Sequence, residues 1–203
     1  MNKKKIGLYG GTFSPPHIGH VGAAESFSKA IDPDVLMIMP DFLPPHKQFQ
    51  GDISAEERLE MCSLAFSHIK NVLISDLEIK RGGKSYTSVT LEELYDSDSE
   101  IFFLCGTDMF LTLSEWYRAP IIFKLATICY VRRESDSEND EKIRRLTEEY
   151  KDKYGARIIP IDAKVREVSS TELRLGLQTG NISVKKMLPE KVYKYISQRG
   201  LYR

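Results

Sequence analysis

The feature that most constrains the fold of this chain is a set of short, continuously apolar runs bounded by turn residues. Val35 to Met39 and Ile101 to Cys105 are apolar at every position, whereas a strand with one wet face would alternate apolar and polar side chains. Strands of this kind need cover on both faces, which a parallel sheet between two helical layers supplies. Lys4 to Tyr9, Val72 to Ile74, Thr127 to Val131 and Arg157 to Ile161 read as further strands. Helical stretches separate them. One spans Ile18 to Ala30. A second starts at the capping pair Ser54 and Glu57, carries an apolar stripe of Leu59, Cys62, Leu64 and Phe66, and reaches about His68. Thr90 to Tyr95 and Ile143 to Tyr154 follow, with Gly82-Gly83 as a turn, Asp41 to Asp52 as a loop, and the acid-rich stretch Glu134 to Lys142 as a solvated connection. A short helix from Ser170 and a last one from Pro189 to Arg199, stopped by Gly200, close the chain. Strands alternating with helices predict a doubly wound, Rossmann-like α/β fold. The expectation is a single domain over residues 1–203, with a parallel sheet, helices on both faces, and a small C-terminal helical part over about 168–203.

Charge places the function in a local site. Lysine plus arginine number 29 and aspartate plus glutamate 29, so no global field draws the protein to nucleic acid or to an anionic membrane, and neither is expected as a partner. No run approaches a membrane span, and Ile6 to Tyr9 is too short for the apolar core of a signal peptide. Cys62, Cys105 and Cys129 are odd in number and widely spaced, which argues against a disulfide framework or a Cys-x-x-Cys site. Reduced thiols and a cytoplasmic location are the expectation.

The densest chemical signal runs from Gly10 to His20 and reads Gly-Gly-Thr-Phe-Ser-Pro-Pro-His-Ile-Gly-His. It sits between the first strand and first helix, where α/β sheets place their ligands. His17 and His20, three apart on a first helical turn, share a face at the positive end of the helix dipole. Two readings are open: capping or core histidines beside a tight glycine turn, or a site for nucleotide phosphate. The segment is neither a Walker loop nor a Gly-x-Gly-x-x-Gly fingerprint. Zinc would need further ligands, and His46 and His68 have no neighbouring cysteine or paired carboxylate, so no protein-bound metal is expected. Near the other end, Ser169-Ser170-Thr171 with Arg174 one turn later offers hydroxyls, free amides and a guanidinium suited to a triphosphate. As an isolated segment it equally suits an N-capped helix in which Glu172 closes a capping box.

His17-Ile18-Gly19-His20 also spells the signature of class I aminoacyl-tRNA synthetases, relatives of the nucleotidylyltransferases, but their Lys-Met-Ser-Lys-Ser partner motif is absent. Taken with the Ser-Ser-Thr-x-x-Arg segment, the chain instead resembles bacterial nicotinate-nucleotide adenylyltransferases nearly end to end. Pro44-Pro45-His46-Lys47, Ser85-Tyr86-Thr87, Gly106-Thr107-Asp108, Trp116-Tyr117 and the tail from Leu188-Pro189 through Gly200-Leu201-Tyr202 carry the remaining likeness.

The resemblance implies transfer of the adenylyl group of ATP to nicotinate mononucleotide, with Mg²⁺ arriving on the ATP. It implies that Gly10, Gly11, Thr12, Phe13, His17 and His20 hold the ATP phosphates, that Ser170, Thr171 and Arg174 close over the triphosphate, and that Asp108 accepts from a ribose hydroxyl. His17, His20, Lys47 and Arg174 are then the catalytic set, with Lys47 facing the reacting phosphates. Tyr86, Thr87, Trp116, Tyr117 and Arg133 are implied for the mononucleotide, Trp116 stacking on the pyridine ring and Thr87 with the Tyr117 amide meeting the carboxylate. Two positions depart from the family pattern: Ser14 stands where aspartate is usual, and Glu134-Ser135 where a proline-glycine pair follows the arginine that Arg133 resembles. Two alternatives stand beside this reading: a related nucleotidylyltransferase using another mononucleotide such as nicotinamide mononucleotide, and a non-catalytic nucleotide sensor. Assembly as a homo-oligomer is compatible with all three.

Overall fold

The computed structural model describes residues 3–45, 53–132, 139–163 and 168–203. Six strands form one sheet: β1 (Lys4–Gly11), β2 (Val35–Pro40), β3 (Val72–Ile74), β4 (Ser99–Gly106), β5 (Ala126–Arg132) and β6 (Ile158–Asp162). They lie in the order β3-β2-β1-β4-β5-β6, and every pairing is parallel. From β1 the chain works outward to β2 and β3, then returns to place β4 on β1's other side. That reversal leaves a crevice at the carboxyl ends of β1 and β4, the place where open α/β sheets bind ligands.

The helices are α1 (Ile18–Ile31), α2 (Ala55–Phe66), α3 (Leu77–Arg81), α4 (Thr87–Leu94), α5 (Thr107–Phe110), α6 (Ala119–Leu125), α7 (Asp140–Tyr154), α8 (Ser170–Gln178) and α9 (Glu190–Arg199). Two apolar layers cover the sheet, as the uninterrupted strand runs require. Leu36 and Ile38 of β2 face a core shared with Phe27 of α1, Met61 and Phe66 of α2, Leu173 of α8 and Val192 of α9. Ile6 and Leu8 of β1 face the opposite core, with Leu91 of α4, Ile122 of α6 and Tyr150 of α7. At Gly7 an added Cβ would lie 3.0 Å from the Phe27 ring and 3.2 Å from Leu36, so the glycine is what lets α1 settle this close to the sheet. All three cysteines are buried and free. Burial pushes their thiols up, that of Cys129 to about 12.

Several elements differ from the sequence reading. The first strand runs through the glycine pair to Gly11. The buried face of α2 is Arg58, Met61, Cys62, Ala65 and Phe66, while Leu59 and Leu64 are only half-buried. The helix is rotated so that a charged residue, Arg58, points inward. α7 begins at Asp140, inside the expected solvated stretch, with Asp140 and Glu141 in its first turn, where acids favour the helix dipole. α4 starts at Thr87, a turn before the expected Thr90. The short helices α3 and α6 were not expected, being too brief for periodicity to register.

Candidate active site

The loop after β1 is built by side chains that turn away from it. Neither Gly10 nor Gly11 has positive φ, and only Gly11 is short of space. A Cβ on Gly11 would meet the Phe13 ring at 3.2 Å, and one on Gly10 only the Met39 carbonyl at 3.9 Å. Phe13 itself sits at φ 48, a left-handed conformation that costs a side chain about 1–2 kcal/mol. Its ring is 2% exposed and meets Tyr9, Phe66 and His20 edge-on at 5.4, 5.7 and 5.1 Å, and this burial offsets the strain. Thr12 donates its hydroxyl to Asp41 at 2.7 Å, and its carbonyl accepts from Arg58 at 2.9 Å. The side chains of Phe13 and Thr12 therefore hold the loop.

The two histidines take the capping role that the sequence left open. His17 Nδ1 accepts from the His20 amide and His20 Nδ1 from the His17 amide, each at 3.2 Å. The rings stack 3.6 Å apart. They form a reciprocal capping box made of imidazoles. Because each Nδ1 accepts, the neutral ring carries its proton on Nε2, and capping thus sets both Nε2 atoms as donors.

The start of α8 is fastened to the same loop. Arg174 donates from Nη1 to the Ser14 carbonyl at 2.8 Å and from Nη2 to Thr171 Oγ1 at 3.0 Å, and Ser170 Oγ donates to the Pro15 carbonyl at 3.3 Å. Ser170 and Arg174, from the far end of the chain, are thereby tied to the loop between β1 and α1. Ser169 Oγ caps α8, accepting from the Glu172 amide at 3.4 Å. Asp108 lies exposed in the first turn of α5, directly after β4, on the neighbouring side of the switch point.

Beside the loop a cleft is lined by Gly10, Thr12, Glu78, Thr87, Trp116 and Tyr117, among others. Trp116 is half-buried and packs edge-on against Phe103 with ring centres 6.3 Å apart. Tyr86 and Tyr117 pack ring on ring at 4.4 Å. Thr87 is the first residue of α4, and Tyr86 before it provides no side-chain cap, so the dipole's positive end opens at the cleft. Arg118, at φ 54, makes a two-pronged ion pair with Glu92 of α4, both contacts 2.7 Å, and locks the Trp116-Tyr117 segment to that helix.

Residues outside the motifs tie cleft and loop together. Arg58, 2% exposed, bonds Asp41 at 3.2 Å and the Phe42 carbonyl at 3.5 Å. The Phe42 amide donates to Ser85 Oγ at 2.9 Å, and the Ser85 amide to the Leu43 carbonyl at 2.9 Å. Glu78 accepts from the Thr90 hydroxyl and lies 3.7 Å from Arg81. Burial raises its carboxyl above the usual range, against the opposing pull of Thr90, Ser85 and Arg81. A signal for Arg58 did exist in the sequence, since it stands three and four residues before Met61 and Cys62 on the buried face. Lys47, His46 and Arg133 lie outside the described residues. Among the described residues no group of three histidine, cysteine, aspartate or glutamate side chains could hold a metal ion.

The arrangement sets two stacked imidazoles at the start of α1 beside an aromatic cleft that the start of α4 also lines. A family model described as cytidylyltransferase-like matches residues 8–176. A probable nicotinate-nucleotide adenylyltransferase from Listeria monocytogenes is 33% identical over 202 residues, covering 98% of each chain. Its namesake from Caldicellulosiruptor saccharolyticus is 36% identical over 200 residues, covering 98% of this chain and 99% of its own. Among solved structures, the Plasmodium falciparum nicotinic acid mononucleotide adenylyltransferase complexed with NaAD superposes with a TM-score of 0.78 at 19% identity, over 98% of this chain and 97% of that one. That likeness concerns the fold alone. With the full-length sequence identity it leads to one conclusion: the chain belongs to the nicotinate-nucleotide adenylyltransferase family of cytidylyltransferase-like proteins.

Proposed function

We propose that this protein transfers the adenylyl group of ATP to nicotinate mononucleotide, releasing pyrophosphate and forming nicotinate adenine dinucleotide. The observation that carries the reading is the adjacency of the His17-His20 loop and the Trp116-Thr87 cleft at the β1/β4 crevice, with Gly10 and Thr12 lining both. Residues 1–203 act as one domain in this reading, since α8 and α9 share the core with α1 and α2.

A phosphate oxygen of the mononucleotide attacks the α-phosphorus of ATP in line, and pyrophosphate leaves. A phosphate monoester is already an anionic nucleophile near neutral pH, so no covalent enzyme intermediate is required. The protein's task is to align two polyanions that repel each other and to stabilise charge on the transferred and leaving oxygens. The Nε2 donors of His17 and His20 serve the transferred phosphate, with the amides of Gly10, Gly11, Thr12 and Phe13 beside them. Ser170, Thr171 and Arg174 serve the departing pyrophosphate, and Asp108 takes a ribose hydroxyl. Lys47 and Arg133 supply further positive charge to the phosphates. Trp116 stacks on the pyridine ring, Tyr86 and Tyr117 shape its pocket, and Thr87 at the start of α4 meets the carboxylate. Mg²⁺ would arrive with ATP and be held by phosphate and water, since among the described residues Asp41 is committed to Arg58 and Thr12, and Glu78 to Thr90.

Pyrophosphate release, measured with ATP and either mononucleotide, tests the proposal. Donors at Thr87 and the Tyr117 amide suit both carboxylate oxygens, whereas one side of a nicotinamide presents donor against donor, a mismatch that can discriminate by about 10⁴-fold. Equal use of both mononucleotides would overturn the substrate assignment, and no turnover with either would favour a nucleotide sensor.

A further inference from the structure

The last residues of the chain reach the phosphate loop. Tyr202 Oη lies 3.0 Å from Ser14 Oγ, a buried contact between positions 188 residues apart. Tyr202 is 8% and Ser14 5% exposed, and Tyr202 adopts φ 60, the left-handed bend that turns its ring back beneath the loop. α9 brings it there by packing Val192 and Ile196 into the core against α2. Burial pushes the phenol up, so the ring stays a neutral hydrogen-bonding group. The Ser14 carbonyl is also the group that holds Arg174 Nη1 at 2.8 Å. One short residue thus links the tail through its side chain and the triphosphate arginine through its backbone. Three residues later His17 caps α1.

We infer that Tyr202 is a positioning residue for ATP: its hydroxyl, bonded to Ser14, holds the Ser14 carbonyl where it aims Arg174 and sets the entry of the chain into the His17-His20 cap. The serine suits this pairing, since two hydroxyls bond one another with no buried charge to compensate. The inference rests on the adenylyl-transfer reading for its kinetic consequence but not for its effect on ATP binding.

Two measurements on wild type, Tyr202→Phe, Ser14→Ala and the double variant test it. The first is ATP affinity by direct titration without a second substrate. The second is the KM for each substrate in the pyrophosphate assay, with thermal melting alongside. Tyr202→Phe keeps the ring's packing and removes only the bond. It should weaken ATP binding and raise the KM for ATP by about five- to tenfold, the scale of one hydrogen bond, while leaving the KM for nicotinate mononucleotide unchanged. Ser14→Ala should act alike, and the double variant should be no worse than either single one. A merely structural role would lower the melting temperature and the active fraction but move neither KM. Unchanged ATP affinity in Tyr202→Phe, or effects of the two substitutions that simply add, would overturn the inference. If wild type makes no dinucleotide, the reading of the reaction fails, and the ATP titrations still decide the role of Tyr202.

Discussion

At the scale of single residues, the site depends on atoms with two duties. His20 caps α1 through Nδ1 and, in the proposed reaction, serves phosphate through Nε2. His20→Ala should therefore lower kcat by about 10²-fold and cost about 1 kcal/mol of stability through the lost cap. A kcat close to wild type, with only the melting temperature reduced, would leave His20 a capping residue alone. Trp116 and Thr87 separate in the opposite sense. Stacking ignores the ring substituent, so Trp116→Ala should lower kcat/KM for both mononucleotides, whereas Thr87→Ala should hurt nicotinate mononucleotide selectively. Parallel losses in the two variants would remove Thr87 from substrate choice.

Among the elements, β1, β2 and α2 meet at one buried ion pair. Arg58 from α2 bonds Asp41, just past β2, and the Thr12 carbonyl, just past β1, and Ser85 extends the tie to the start of α4 through Phe42. Removing one member of a buried pair strands the other, at a cost of about 3–5 kcal/mol. Arg58→Met should destabilise by that order in a denaturant titration and should also raise the KM for ATP, because the Thr12 carbonyl loses its anchor. Combining it with Asp41→Asn should cost less than the two single effects summed. A neutral Arg58→Met variant would show the pair to be dispensable. The Glu92–Arg118 pair links α4 to the Trp116-Tyr117 segment in the same manner, but it is about 40% exposed on each side and carries correspondingly less energy.

For the molecule as a whole, Glu78 joins the chemistry of the cleft to global stability. Its carboxyl is raised above the ordinary 4.5, mainly by burial, so between 4.5 and its folded value the native state binds more proton than the unfolded chain. Stability contributed by the protonated carboxyl is then present below 4.5 and lost as pH rises through the folded value. Glu56 and Glu190 are lowered by local hydrogen bonds; their favourable contribution is present above 4.5 and lost as pH falls through their folded values. Glu78→Gln removes only the first effect. The stability of the variant relative to wild type should therefore rise with pH across the window above 4.5, as read by urea unfolding at several pH values. A difference independent of pH would show that Glu78 titrates alike in both states.

Fold class, the loop that joins β1 to α1 and the family were legible in the sequence because each is written locally. Apolar runs such as Val35 to Met39 state that both faces of a strand are covered, and the Gly-Gly-Thr-Phe and Ser-Ser-Thr-x-x-Arg segments keep their chemistry within a single turn. What only the tertiary structure decided is which atoms of those segments remain for a ligand. The Thr12 hydroxyl goes to Asp41 29 positions away, the Thr12 carbonyl to Arg58 46 away, and the Ser14 carbonyl to Arg174 160 away. Periodicity reports whether a residue is buried, not which distant polar group will meet it there. The partners of Arg58 and Tyr202 stayed out of reach for that reason: a buried guanidinium and a buried phenol are tolerated only where groups from other elements satisfy them, and packing α2 and α9 onto the sheet is what brings those groups close.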